Sequence, residues 1–294
     1  MYHRRKILLA LVEVFGGKLT AMECHKLMFL LCQRTRQNHY DFFPYKFGAY
    51  SFILHQDKLR LTDLGYLQID DSFKITGIQR FLPKLDIFTQ TELFALRDAI
   101  GTLHGRSLLH KVYLEYPYYA TRSEIASEIL TPSERESIAQ YRNLDSSPCL
   151  FTIGYEGLTI DSYLSILISN NISALVDVRK NPISKKYGFS KSQLKRYAES
   201  AKIEYIHLPE LGVPSNMRQN LNSEQAYIDL FNQYLQQILS NQSSSLRYLK
   251  DLVYDKRRVA ITCFEASHTH CHRSKITEYF ENDSSFEIPI VHLS

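Results

Sequence analysis

The last half of this sequence carries nine side chains of the types that do chemistry: Tyr155, Asp177, Arg179, Cys263, Glu265, Cys271, His272, Arg273 and His292. Cys271-His272-Arg273 stands where a helix is expected to begin, so free N–H groups and the positive dipole end would face a ligand there. Three readings suit that position. An anion could lie between the helix start and the guanidinium groups of Arg179 and Arg273, since arginine holds phosphate bidentately. Cys271 could instead pack the helix onto a sheet, as unpaired cysteines often do. In the third reading its thiol has a lowered pKa and acts as a nucleophile in sulfur-transfer or redox chemistry. We rank them in that order.

Asp177 and Glu265 follow apolar strand positions, so burial would raise their pKa values while the nearby arginines lower them. Either carboxylate could activate water or stabilise a cation developing at a sugar carbon. An ion-pair network that only shapes the pocket is nearly as good a reading. The expected catalytic set is therefore Asp177, Glu265, Cys271 and His272, with Tyr155, Arg179, Ser184 and Arg273 holding substrate or phosphate. Tyr155 would stack on a base or ring, and His207 and His292 would support from behind. His268, His270, Cys271 and His272 with Cys263 have metal-ligand chemistry, but the spacing is not that of a zinc module. No metal or other cofactor is expected, although ligand type keeps a metal open.

These side chains need a scaffold that makes them converge. Five short apolar runs alternate with helical segments: 150–154, 174–179, 203–208, 258–264 and 288–293, with helices starting near Thr159, Ser190, Ser223, Ser245 and Cys271. That pattern predicts a parallel, Rossmann-like α/β sheet covered on both faces. Each strand delivers polar groups at its carboxyl end: Gly154-Tyr155, Asp177 to Arg179, His207, Cys263 to Glu265, and His292. In an open parallel sheet those ends share one edge, where ligands bind. One polar pocket containing all nine residues is the resulting expectation.

The runs TIGYEG, LVDVRKNPIS with KKYGFSKSQL, IEYIHLPELG, ITCFEASHTHCHRSKI and IVHL resemble, in order, the motifs of the bacterial domain of unknown function 488 family. The resemblance covers about residues 150–294. It implies motif roles for Gly154, Tyr155, Asp177, Arg179, Pro182, Ser184, Leu211, Gly212, Cys263, Glu265, Cys271, His272 and Arg273, and it implies a fold and a site more than a reaction. A longer insert between Gly212 and Arg258 and the N-terminal extension set this chain apart from compact members.

The extension reads as a winged helix-turn-helix over residues 1–85. A helix over 4–15 ends at Gly16-Gly17. A second is capped by Thr20 with Glu23 as a capping box, and a third runs from Phe52 to Asp63 after the aromatic connector YDFFPYKFGAYS. A hairpin comes next, Tyr66–Ile69 and Phe73–Thr76, around Asp70, Asp71 and Ser72. The stretch FPYKFGAYS, then a helix, then GYL also resembles winged-helix modules of antitoxin-like and defence-associated bacterial proteins. Residues 1–85 hold 13 Lys and Arg against 7 Asp and Glu, so the small net charge of +4 is concentrated there. Lys46, Gln56, Lys58, Arg60 and Lys74, with His55, are the expected nucleic-acid contacts. Docking of another protein chain is the bland alternative.

Residues 86–148 read as a helical connector, with capping boxes at Thr121/Glu124 and Thr131/Glu134, and residues 149–294 as the α/β domain. Tyr113, Tyr116, Tyr118 and Tyr119 suit packing between domains better than a nucleic-acid groove. Five scattered cysteines suggest a reducing compartment. Glu13 breaks the first apolar stretch, which argues against a signal peptide. A cytoplasmic protein without membrane contact is expected. Two functions remain: a nucleic-acid-binding enzyme acting on a base or nucleotide by glycosyl-transfer or hydrolytic chemistry, in defence or nucleic-acid modification, and a DNA-binding regulator that senses a nucleotide-like ligand without turnover. Expected partners are nucleic acid, DNA ahead of RNA, and a nucleotide-like small molecule; a homodimer stays open.

Overall fold

The computed structural model describes residues 1–70, 72–77, 79–217 and 223–293. The chain divides into two compact units, Met1–Arg142 and Asn143–Ser294.

In the first unit, α1 (His3–Val14) buries Ile7, Leu8, Leu11 and Val12 at helical spacing. Then come β1 (Lys18–Leu19), α2 (Ala21–Thr35), β2 (Phe43–Tyr45), β3 (Gly48–Tyr50), α3 (Phe52–Asp63), β4 (Leu67–Ile69) and β5 (Phe73–Ile75). The Thr20–Glu23 capping box forms at the start of α2, satisfying two of the N–H groups that a helix start leaves free. Strands β1, β5 and β4 make an antiparallel sheet in that order. Asp71, in the expected turn, lies outside the described residues. The aromatic connector, expected without strands, forms the antiparallel pair β2–β3, with Phe43 opposite Tyr50.

Helices α4 (Ile87–Ile100), α5 (Gly105–Glu115), α6 (Pro117–Ala120), α7 (Ala126–Ile129) and α8 (Pro132–Ala139) complete this unit. Residues 86–142, read from the sequence as a connector, thus pack within the first unit. The Thr131–Glu134 box caps α8. No box forms at Thr121: the Glu124 N–H donates to the Lys46 carbonyl instead, and only 126–129 of that segment is helical. Tyr116 and Tyr119 meet Phe29 edge-on, and Tyr113 is buried with its hydroxyl 2.6 Å from Ser123 Oγ.

The second unit runs β6 (Cys149–Gly154), α9 (Ile160–Ser169), β7 (Ala174–Asp177), α10 (Lys191–Ser200), β8 (Glu204–His207), α11 (Glu224–Gln237), α12 (Ser243–Lys256), β9 (Arg258–Cys263), α13 (Arg273–Glu281) and β10 (Ile290–Leu293). The strands form one sheet in the order β10-β6-β9-β7-β8, all parallel. Buried residues fill β6, β7 and β9 from end to end, as expected of strands covered on both faces. Ala174, Val176, Val259 and Ile261 pack towards α11, α12 and α13. The opposite face meets α9, whose Tyr163 hydroxyl donates to Thr262 Oγ1 at 2.8 Å. Among the described residues no helix is long and apolar enough to cross a membrane.

Candidate functional site

Register places the strand ends side by side: Gly154 is opposite Cys263, and Asp177 is opposite both Thr262 and His207. The expected common edge therefore exists, but the nine residues do not form one pocket. Paired residues in a sheet point to the same face and successive residues to opposite faces. Asp177 shares its face with Thr262, so Cys263, one residue further, points to the other. The candidate chemistry splits into two buried clusters, one on each face.

On the α9 side lies an ion pair. Asp177 accepts from Arg179 Nε at 2.8 Å, Arg179 Nη2 at 2.6 Å, the Arg179 N–H at 3.1 Å and the Tyr205 hydroxyl at 2.6 Å. Those four bonds fill the lone-pair directions of a carboxylate. Asp177 is fully buried, and the Arg179 side chain is 6% exposed. Burial works against the charge on Arg179, yet the Asp177 carboxylate outweighs it and holds the guanidinium above its ordinary range. Asp177 is thus sealed and saturated, which corrects the expectation that it carries proton transfer. Arg179 Nη1 also donates to Tyr155 Oη and to the Phe189 carbonyl, both at 2.9 Å. His207 Nε2 donates to the Arg179 carbonyl at 2.9 Å while its Nδ1 accepts from Lys191 at 2.8 Å.

Tyr155 is 3% exposed. Phe189 stacks on its ring at 4.3 Å, and the Arg179 guanidinium stands 5.0 Å from the ring centroid. A ring so buried and already stacked on Phe189 does not offer itself to a base, so the stacking role expected of it falls away. Phe264, edge-on to Tyr155 and 42% exposed, offers the free ring.

On the other face, Cys263, Cys271 and His272 meet. His272 Nδ1 is 3.8 Å from each sulfur, and all three side chains are buried. Burial, helped by Cys263 and the Glu265 charge and opposed by Arg273, pushes the Cys271 thiol well up; as a free thiol it is a poor nucleophile. Arg273 is fully buried. Its Nε donates to Cys271 Sγ at 3.2 Å and its Nη2 to the Glu265 carbonyl. It braces the loop after β9 instead of lining the phosphate site, contrary to expectation. Glu265 is half-buried in that loop. His292, at the exposed end of β10, stacks on His268 at 3.7 Å, and its Nδ1 is 2.9 Å from Thr152 Oγ1.

The open part of the edge is a pocket of about 310 Å³ over β6, β7 and β9. Tyr155, Arg179 and Cys263 line its inner wall; Lys180, Ser184 and Lys185 line the outer. Lys186 is tied back, donating to the Tyr155 carbonyl at 2.9 Å. Two close approaches fix these loops. A Cβ on Gly154 would lie 1.8 Å from the Glu265 carbonyl oxygen, and one on Gly212 would lie 2.2 Å from the Lys180 nitrogen. Sequence reasoning missed Lys180, Lys185 and Phe264. Four basic residues between 179 and 186, directly after a strand, were the available signal.

In the first unit the expected nucleic-acid contacts separate. Lys46 is exposed and Gln56 half-buried. Arg60 lies 3.8 Å from Asp63, and Lys74 lies 2.6 Å from Asp70. Lys58 is a correction: it is fully buried, its Nζ 3.4 Å from the Ala21 carbonyl and from His25 Nδ1 and 4.4 Å from the Phe73 ring centroid. An interior position removes it from any duplex.

The second unit is thus a parallel α/β unit with helices on both faces and a loop-built pocket over the carboxyl ends of its strands. Residues 159–280 match the family model described as Domain of unknown function DUF488, and the C-terminal unit is a domain of that family. No curated protein and no solved structure gives a match to the chain.

Proposed function

We propose that the C-terminal unit binds a phosphate-bearing, nucleotide-like ligand in the pocket over β6, β7 and β9, in a protein that associates with nucleic acid through its first unit. One observation carries the reading. The described residues lining the pocket include the exposed Lys180 and Lys185 and no carboxylate; the Arg179 charge is balanced by the Asp177 paired with it, so the two lysines give the site a net positive field where loops can wrap an anion. Arg179 is pre-oriented by Asp177, while Lys180 and Lys185 are exposed and free to close on phosphate oxygens. Phe264 offers a ring to a base. For the first unit, the helix and strand order and the β1-β5-β4 sheet support a winged helix, with Lys46, Gln56, Arg60 and Lys74 as the remaining contacts.

Ligand sensing is favoured over turnover because the four hydrogen bonds on Asp177 leave it no acceptor direction for a substrate proton. Calorimetric titration of the full chain with nucleoside mono- and triphosphates tests the pocket. A Lys180→Ala/Lys185→Ala variant should bind roughly a hundredfold or more weakly, since each of the two charge-assisted hydrogen bonds contributes about 1.5–3 kcal/mol. Equal affinity in the two proteins would refute the site. Mass spectrometry of the recovered ligand separates the two functions: an unaltered nucleotide supports sensing and a product supports catalysis.

A further inference from the structure

We propose that Cys263, Cys271 and His272 form a binding site for a zinc-class divalent cation. Their ligand atoms all lie within 4.8 Å of one another, although they come from a strand end, a loop and a helix cap. With Zn–S near 2.3 Å and Zn–N near 2.0–2.1 Å, tetrahedral ligation needs S···N separations of roughly 3.6 Å. The two separations found are each 3.8 Å.

The imidazole is set for this role. Its Nε2 donates to the Val178 carbonyl at 3.2 Å, which places the proton there and leaves the Nδ1 lone pair facing both sulfurs. A backbone carbonyl that holds the far N–H is the usual outer support of a metal-bound histidine. Arg273 Nε donates to Cys271 Sγ, and a thiolate accepts such a bond far better than a neutral thiol. Packing alone would require neither the histidine tautomer nor the guanidinium.

Two sulfurs and an imidazole select a borderline-soft ion over magnesium or calcium, which prefer oxygen. Binding converts both thiols to thiolates and releases two protons, with no change of oxidation state. Three protein ligands leave one coordination position for water or substrate. Cys263 also lines the cationic pocket, so the ion would stand at the wall of the proposed phosphate site and could polarise a phosphoryl oxygen. The metal reading does not need that pocket to bind anything, because its readout is metal content.

Full-length protein purified with zinc in the medium should hold about one ion per chain by mass spectrometry of the metal, as a single such site requires. Cys263→Ser and His272→Ala should each lower that content at least tenfold, while Cys149→Ser retains it. Because these variants could misfold, cobalt reconstitution of the wild-type chain is the second measurement, with thiolate-to-cobalt charge-transfer and tetrahedral d–d bands expected. Negligible zinc, unchanged zinc in both ligand variants, a cobalt spectrum without thiolate bands, or a Cys263–Cys271 disulfide in reduced preparations would each overturn the site.

Discussion

In an Asp177→Asn variant the side-chain shape is kept while the charge and one acceptor oxygen are lost. The carboxylate accepts from Arg179 on both oxygens and from Tyr205 on one. An amide NH₂ must therefore face a guanidinium N–H or a phenol in place of an acceptor. The larger effect is on Arg179, whose side chain is 6% exposed beside the fully buried Asp177. Removing one partner of a buried pair strands the other charge and costs about 3–5 kcal/mol. Against a typical domain stability of about 5–15 kcal/mol, the second unit should stay folded at 25 °C but be much weakened. The chain has no tryptophan and 20 tyrosines, so urea unfolding is best followed by tyrosine fluorescence and circular dichroism. With a urea slope of about 1–3 kcal/mol/M, the midpoint of the affected transition should fall by roughly 1–5 M. An Asp177→Leu/Arg179→Met double variant should recover much of the loss, because well-packed apolar residues can replace a buried pair. A single-variant cost under about 1 kcal/mol, the size of an exposed pair, would refute the assignment of Asp177 as a saturated anchor of Arg179.

Gly212→Ala would set a methyl 2.2 Å from the Lys180 nitrogen; displacing that loop should cost about 1–3 kcal/mol and weaken nucleotide binding in the same calorimetric titration, whereas unchanged affinity would show that the loop position is immaterial. Lys26 is buried, and burial pulls its ammonium from 10.5 to about 7. Between those values the unfolded chain holds a proton that the folded one lacks, so stability of the first unit should rise with pH. Lys58, pulled to about 8, acts in the same direction. The window is pH 7 to 9: Cys24, pushed up to about 12, opposes the trend above pH 9, and His25, pushed well down, contributes only at lower pH. Denaturation across that window should show a shallower slope for Lys26→Met than for the wild type, and equal slopes would remove Lys26 as the cause. Mutating Lys58 to Ala should lower stability of the first unit through its buried contacts; a variant as stable as the wild type but defective in DNA binding would restore Lys58 to the interface.

Much of the architecture was legible because local rules produce it. Apolar runs of strand length between helical segments determined a parallel sheet, and register then required Gly154, Asp177, His207 and Cys263 to end along one edge. Thr20 with Glu23 and Thr131 with Glu134 set two helix starts through hydrogen bonds three residues apart. Thr121 with Glu124 has the same spacing and forms no box, since the Glu124 N–H is taken by Lys46 from a distant segment.

Tertiary structure alone decided which polar groups meet ligand and which meet one another. Side chains alternate across a sheet, so a one-residue offset between Asp177 and Cys263 sends the carboxylate and the sulfur ligands to opposite faces, and strand ends read one at a time do not reveal that offset. A charged residue at a strand terminus suits an open pocket or a closed ion pair equally well. Tyr205 and Arg179 closed it over Asp177, and the α2 backbone with Phe73 drew Lys58 inside. Residue order determined where the chemistry-bearing groups stand along the chain; packing between distant segments decided which way each of them faces.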